Sequence, residues 1–148
     1  MALATEFDED RSSPGLLLWR VTNRWQSQIR SALKPTGLTH VQFVLLASLT
    51  YLNDQREDLI TQRELAEFAA VDVMMTSQVV RVLADRGWVD RNDHPTDRRA
   101  KALQITPSGH ELANRAIPLV EACDREFFAG TGRDFIASLH LLADGSAH

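Results

Sequence analysis

One stretch decides the fold, the segment "TQRELAEFAAVDVMMTSQVVRVLADRGWVDRNDHPTDRRAKALQITPSG" from Thr61 to Gly109. Its first half carries two helical patterns, "TQRELAEFAA" and "DVMMTSQVVRVLAD", which only a few residues separate. Its second half contains two strand-like runs, "WVDRN" and "AKALQIT", on either side of the polar loop "DHPTDRR". Helix, short turn, helix and hairpin in this order predict a winged helix-turn-helix.

Helix signals delimit the two helices of this stretch. Thr61 and Glu64 have the spacing of a capping box, which predicts that the first helix begins after Thr61. Asp72 suits the N-cap of the second helix, and Gly87 suits its stop. A turn of only a few residues between them is the spacing of a DNA-binding helix pair.

The second helix has a core side and an exposed side. A rotation of about 100° per residue puts Thr76, Val80 and Leu83 together on the side taken as core. The opposite side and its flanks present the candidate DNA-reading residues Met74, Met75, Ser77, Gln78 and Arg81. Gln can pair with adenine, Arg with guanine or phosphate, and an apolar side chain can contact a thymine methyl. The alternative is that a neighbouring element buries the two methionines.

Charge is distributed unevenly along the chain. The formal net charge is -4, yet between Thr76 and Lys101 the cations outnumber the aspartates. A locally basic surface on an acidic body can bind a polyanion at one face. The predicted contacts of the hairpin are Arg98, Arg99 and Lys101, and the further phosphate candidates are Thr61 and Gln62.

Helices flank the decisive stretch on both sides. Ser13 and Pro14 predict the start of a first helix that "KPTG" ends, and Thr39 begins a mostly apolar, central second helix. "NDQRED" is then predicted to be a polar connection. On the other side, Thr106 and Pro107 predict the start of a long helix. Pro118 should kink that helix, and Thr131 and Asp134 should start a last helix from Phe135 to Ala143.

Length and cysteine usage bound the class of protein. The chain has 148 residues, which is enough for one domain with its own core, and a single cysteine, Cys123. A lone cysteine cannot form an internal disulfide, which fits a reducing compartment. No apolar run approaches the roughly 18 residues of a membrane span, and the start "MALATEFDED" is unlike a signal peptide. We therefore expect a cytoplasmic protein without a membrane partner.

The sequence offers no catalytic or metal-binding constellation. Its five histidines have no metal-ligand spacing, and neither HEXXH nor CXXC occurs. "SGH", from Ser108 to His110, lacks the strand-turn-helix context of a nucleophile elbow. Cys123 lies on an apolar helix stripe, which favours a buried, inert thiol over a redox sensor. We expect no catalytic residue, metal or cofactor.

The chain resembles the multiple antibiotic resistance regulators, the MarR family, over roughly residues 13–143. The resemblance rests on "GLTHVQFVLL", on "TQRELAEFAAVDVMMTSQVVRVLADRGWVDR" and on "DRRAKALQITPSGHELA". It implies a homodimer formed by the first and the last two helices, and a pseudo-palindromic DNA site, usually with repression. A small phenolic or lipophilic ligand, or an oxidant, would release the DNA. It also implies that Asp97 steadies Arg99, which enters the minor groove, whereas Gln78 stands where many relatives carry Arg.

In these terms the fold is mainly α with a small β-hairpin wing. We expect a flexible tail over residues 1–12 and a single domain over 13–146. Its dimerisation helices would be 13–34 and 107–146, and its DNA-binding part 39–106. The terminal helices carry the expected interface residues Leu16, Leu17, Leu18, Trp19, Phe127, Phe128, Phe135, Leu139, Leu141 and Leu142.

Three aromatic residues are candidates for the lining of an effector pocket. They are Trp19, Trp25 and Tyr51, which could lie between the dimer helices and the DNA-binding part. Core packing is the alternative role for at least one of them. The rival to a DNA-binding regulator is a winged-helix module that binds a protein, but such modules usually lose the basic wing that Arg98, Arg99 and Lys101 supply.

Overall fold

A computed structural model describes residues 2–7 and 12–145. Residues 1 and 8–11 of the predicted tail, and residue 146 at the predicted end of the domain, lie outside this part. The helices are α1 (Pro14–Leu33), α2 (His40–Gln55), α3 (Gln62–Ala69), α4 (Val73–Asp85), α5 (Pro107–Phe127) and α6 (Arg133–Ala143). The strands are β1 (Ile60–Thr61), β2 (Val89–Asp93) and β3 (Lys101–Ile105).

Most helix starts are where the capping residues predict them. The Ser13 hydroxyl accepts a hydrogen bond from the Leu16 amide, and Asp72 accepts one from the Met75 amide. At α2 both halves of the capping box between Thr39 and Gln42 are formed. Each cap satisfies backbone N–H groups that the first helical turn leaves without a partner.

Two helix boundaries and one cap differ from their predictions. Helix α2 continues to Gln55, so half of the predicted polar connection is helical. The Thr61 hydroxyl caps α3, but the Glu64 carboxylate accepts a hydrogen bond from the Arg56 guanidinium, an interaction that spacing alone does not reveal. Helix α6 follows Gly132 without a side-chain cap, because the Thr131 hydroxyl donates to the Phe128 carbonyl.

The sheet has one strand more than the predicted hairpin. Strand β3 lies in the centre and pairs antiparallel with β2 on one side and β1 on the other. Opposite Leu103 stand Ile60 of β1 and Arg91 of β2. The hairpin is therefore attached to the start of α3, because β1 leads directly into that helix.

One hydrophobic core joins the terminal helices to the DNA-binding part. Helix α2 contributes Leu45, Leu46 and Leu49, each almost fully buried, and this confirms its predicted central position. Packed around it are Ile29 and Leu33 of α1, Ile60, Val80, Leu83 and Leu103 of the DNA-binding part, and Ala113 and Ala116 of α5. Shared burial of this kind transmits movement between the elements, since close-packed cores deform little.

The start of α5 is fixed against the turn that follows α4. The amide of Thr106 donates to the Trp88 carbonyl at 3.1 Å, and the hydroxyls of Thr106 and Ser108 donate to the Gly87 carbonyl at 2.7 and 3.0 Å. Gly109 is buried there, and a Cβ atom added to it would lie 2.0 Å from the Trp88 carbonyl oxygen. Only glycine fits this close approach of helix and backbone.

The two C-terminal helices differ in how they are buried. Helix α5 is continuous from Pro107 to Phe127 through Pro118, and the bend that Pro118 predicts stays a prediction. None of the residues of α6, all of which the structure describes, is buried. Within residues 2–7 and 12–145, no helix is long and apolar enough to cross a membrane.

Candidate nucleic-acid interface

Helix α4 exposes the face that its periodicity predicts. Thr76, Val80 and Leu83 are buried against the core. Met74 is 72% exposed and Met75 45% exposed, so no neighbouring element of the chain buries them. The predicted face is completed by the exposed Gln78 and Arg81 and the half-buried Ser77. This half of α4 presents amide, guanidinium and apolar groups side by side, which are the groups that distinguish base edges in a major groove.

The wing comprises β2, the loop 94–100 and β3, and hydrogen bonds within the loop order its tip. The Nδ1 atom of His94 accepts from the amides of Thr96 and Asp97 at 3.2 and 3.1 Å. The Asp97 carboxylate accepts from the amide of Arg99 at 3.0 Å. Asp97 therefore steadies Arg99 through the backbone and leaves its guanidinium for other contacts.

His94 is a structural residue of the wing that sequence reasoning missed. The spacing of the histidines bears only on metal binding, yet the His94 ring closes the turn that Pro95 and Thr96 form. Its position directly before a proline, at the start of a polar turn, was the available signal, because side-chain acceptors at such positions often bond the amides that follow.

The cations of the wing differ in whether they already have an ion-pair partner. Within the described residues, the guanidinium groups of Arg98 and Arg99 form no hydrogen bond or ion pair, and both side chains are exposed. Lys101 forms an ion pair with Asp93, which holds the pKa of that carboxyl below its usual value. Two unpaired charges at the tip are available for phosphate, whereas that of Lys101 is partly neutralised.

The phosphate candidates at the start of α3 already have partners. The Thr61 hydroxyl accepts from the Glu64 amide at 3.1 Å as the cap of the helix. The Gln62 amide oxygen accepts from Nε of Arg91 at 3.2 Å, which links α3 to the wing. Their remaining donors, the Thr61 hydroxyl proton and the Gln62 NH₂, can still reach an anion.

A cleft of about 600 Å³ lies between α1, the start of α2 and the end of α3. Trp25 lines it and donates from Nε1 to the Asp124 carboxylate at 2.8 Å. His40 lines it too, with its ring 5.1 Å from that of Trp25. Burial lowers the pKa of His40, Asp124 opposes that shift and Arg30 adds to it. The cleft therefore combines a neutral imidazole, one guanidinium and apolar walls.

The structure does not bring the three predicted pocket aromatics together. Trp25 lines the cleft, but Trp19 lies exposed on α1 and is not among the lining residues. Tyr51 stacks on Phe68 of α3 with ring centroids 5.7 Å apart, also outside the cleft. Sequence reasoning missed His40 and Arg30, because only the packing of α1 on α2 places them beside Trp25.

The comparisons with known proteins agree with this arrangement. The model of the MarR family matches residues 38–101. YdcH, an HTH-type transcriptional regulator of Bacillus subtilis, is 40% identical over 140 residues, which cover 93% of this chain and 95% of that protein. The chain belongs to the MarR family. As a member of the MarR family it is a DNA-binding transcriptional regulator, and the family is one of regulators rather than enzymes.

Solved structures share the whole MarR-type fold. CouR from Rhodococcus jostii RHA1, bound to p-coumaroyl-CoA, matches with a TM-score of 0.78 at 24% identity, over 96% of this chain and 99% of that one. A MarR variant from E. coli complexed with operator DNA matches with a TM-score of 0.75 at 23% identity, over 97% and 100% of the two chains. The alignment over nearly full length includes the terminal helices as well as the winged part.

The remaining candidate groups form no second site. Cys123 is half-buried against the core, and burial raises the pKa of its thiol. In the described part of the chain, no group of three or more His, Cys, Asp or Glu could hold a metal ion. The Ser108 hydroxyl donates to the Gly87 carbonyl and serves the helix start.

Proposed function

We propose that this MarR-family protein is a homodimeric, ligand-responsive repressor that binds a pseudo-palindromic operator. The observation that carries the proposal is the pairing of an exposed reading face on α4 with an ordered wing whose tip arginines are unpaired. In a two-fold dimer, the α4 helices would occupy major grooves about one helical turn apart.

Helix α4 would read base edges from its first three turns. Gln78 and Arg81 would make the hydrogen bonds, with Ser77 at the side and Met74 and Met75 against apolar edges. Their exposure supports this role, since a solvated face gains nothing from two long thioether side chains without a partner.

The wing would hold the neighbouring minor groove. The rigid backbone between Asp97 and Arg99 supports insertion of that guanidinium, while Arg98 adds a second charge. Lys101 would contribute less, since Asp93 already neutralises it. Thr61 and Gln62 would bind phosphate from the start of α3.

Exposed apolar surface on the terminal helices supports the homodimer. Leu17, Leu18 and Trp19 of α1 are exposed, as are Leu139, Leu141 and Leu142 of α6. Many exposed large apolar side chains on terminal helices are typical of an interface and not of a free monomer. The same surface includes an apolar hollow between the end of α5 and α6 that Phe128, Phe135, Ile136 and Leu139 line.

The cleft beside Trp25 is the site we propose for a phenolic or lipophilic effector. Its apolar walls suit an aromatic ring, and Arg30 with the neutral His40 can bond a carboxylate or phenol. CouR supports an aromatic effector by analogy, since its structure holds p-coumaroyl-CoA. A ligand here touches α1, α2 and α3 together, so it would favour one setting of the DNA-binding parts over another.

The test is binding to the DNA upstream of its own coding sequence, measured by fluorescence anisotropy at several salt concentrations. Affinity should fall steeply with salt, because Lys and Arg release counterions from phosphate. Arg99→Ala should weaken binding by about tenfold or more. Arg115→Ala is the matched control, since this exposed arginine lies in the middle of α5, away from the wing.

Three results would contradict the proposal in different ways. No binding by the wild type at low salt would remove the operator function, and equal binding by Arg99→Ala would remove the wing assignment. Sedimentation of the wild type as a monomer at micromolar concentration would remove the dimer. Leu142→Asp should weaken the dimer, because it places a charge on exposed apolar surface of α6.

A further inference from the structure

The methionines of this chain have an unusual distribution. The sequence has three, and both internal ones, Met74 and Met75, lie side by side in the first turn of α4. The buried apolar residues of the described chain include no methionine, although this flexible side chain is a common filler of protein cores. The accessible thioethers of the described residues are therefore confined to the proposed DNA-reading face.

The local geometry places both residues where DNA would lie. Met74 precedes Gln78 by four positions and Arg81 by seven, so the three share one face of the helix. The Met75 amide donates to the Asp72 carboxylate at 2.9 Å, which fixes the turn that carries both side chains. Within the described chain, Met74 is 72% exposed and Met75 45% exposed, so a small oxidant in solution can approach both side chains.

We propose that Met74 and Met75 are an oxidation switch, and that their conversion to sulfoxides by hypochlorous acid releases the protein from DNA. In each step a lone pair of the sulfur is converted into a sulfur–oxygen bond and the oxygen–chlorine bond breaks. Chloride leaves with the electron pair, and the hydroxyl proton passes to water. The sulfur is oxidised by two electrons and the chlorine is reduced by two.

Oxidation changes the chemistry of the reading face at its centre. A thioether that packs on a thymine methyl becomes a polar sulfoxide, whose oxygen only accepts hydrogen bonds. Moving the sulfoxide oxygen into the groove removes its hydrating water, which is unfavourable, and places its negative partial charge near phosphates. The inference rests on the proposed operator binding, in which loss of one base contact lowers affinity by about tenfold.

The only thiol in the chain is a poor competitor for the oxidant. Cys123 is half-buried against the core on α5, and burial and the neighbouring carboxylates Asp124 and Glu126 keep its thiol protonated. The thiolate is the reactive form of cysteine. The paired methionines are thus the sulfur groups that a solvent-borne oxidant meets first.

The experiment compares DNA affinity before and after a limited dose of hypochlorous acid. Wild type and Cys123→Ser should lose about tenfold or more in affinity, and methionine sulfoxide reductases A and B together should restore it. The double variant Met74→Leu, Met75→Leu has no thioether at these positions, so its affinity after the oxidant should equal its own affinity before it, whatever that starting value is. Peptide mass spectrometry should find the added oxygen on Met74 and Met75.

A second arm needs no oxidant. The double variant Met74→Gln, Met75→Gln should bind DNA about as weakly as the oxidised wild type, with an unchanged thermal unfolding midpoint, because both positions are exposed. If the leucine variant is as sensitive as the wild type, or if affinity falls while these methionines stay unmodified, the switch is refuted and operator binding stands. If the untreated wild type binds no DNA, both proposals fail together.

Discussion

Substitution of Gly109 by alanine should strongly destabilise the protein. The glycine lies in the first turn of α5, where an added Cβ would approach the Trp88 carbonyl oxygen to 2.0 Å and the Ile105 Cδ1 to 2.9 Å. The carbonyl belongs to the backbone, so no side-chain rotation can relieve the overlap. Helix and turn must separate by at least about 1 Å, since real Cβ atoms essentially never come closer than 3.0 Å to such atoms.

The magnitude follows from three opposing effects. Overpacking costs about 1–3 kcal/mol, and a rigid backbone contact belongs at the upper end. Separation also lengthens the three hydrogen bonds from Thr106 and Ser108 to Gly87 and Trp88, each worth about 1 kcal/mol. The higher helix propensity of alanine offsets about 1 kcal/mol of this destabilisation. The free energy of unfolding should therefore fall by about 2 kcal/mol if the hydrogen bonds survive and by about 5 kcal/mol if all three are lost, and the melting midpoint should fall by about 4–20 °C.

The assay is thermal and urea unfolding at one fixed protein concentration, because the stability of the proposed dimer would depend on concentration. Gly15→Ala is the matched control. This glycine also lies in the first turn of a helix, but an added Cβ would meet nothing within 4 Å, so its free energy of unfolding should stay equal or rise by up to about 1 kcal/mol. If both variants behave alike, the close contact of α5 with Trp88 is not as described.

Two further predictions concern buried polar groups. Thr76→Val should raise the free energy of unfolding by about 1 kcal/mol in urea titrations, because the Thr76 hydroxyl is fully buried and has no hydrogen-bond partner among the described residues. A fall in stability would mean that the hydroxyl has a partner. Burial lowers the pKa of His40 from its usual 6.5, so the folded state favours the neutral ring. The stabilisation from the neutral ring is complete above that value and is lost as the pH falls below it. In urea titrations, His40→Gln should reduce the fall in the free energy of unfolding between about pH 7 and 5. If that fall is as large as in the wild type, it comes from other titrating groups.

The sequence predicted those parts of the fold that depend on local interactions. The caps at Ser13, Thr39 and Asp72 bond amides three residues away, so their spacing is visible in the chain. Strand β1 was not predictable in this way. It has only two residues, and it exists because Ile60 pairs with Leu103, which lies far along the chain.

In the candidate site, too, features set by local sequence were predictable and contacts between distant residues were not. Helical periodicity fixed the exposed face of α4, and composition fixed the basic tip of the wing. The partners of individual side chains could not be predicted, since the pairing of Arg91 with Gln62 requires the wing to lie against α3. The cleft beside Trp25 likewise depends on how two helices pack. Tyr51 lies outside it, because its ring stacks on Phe68.

In the proposed dimer, the order of helix α6 would depend on the concentration of the protein. The helix has eleven residues, Arg133–Ala143, and buries none of them within its own described chain. An isolated helix of that length is barely stable in water, because the free-energy cost of nucleation exceeds the stabilisation that a few turns provide. In the proposed dimer its order therefore comes from the second chain and grows with the logarithm of protein concentration. The amount of regulator in the cell would then decide not only how many operators are filled, but how much of each chain is folded.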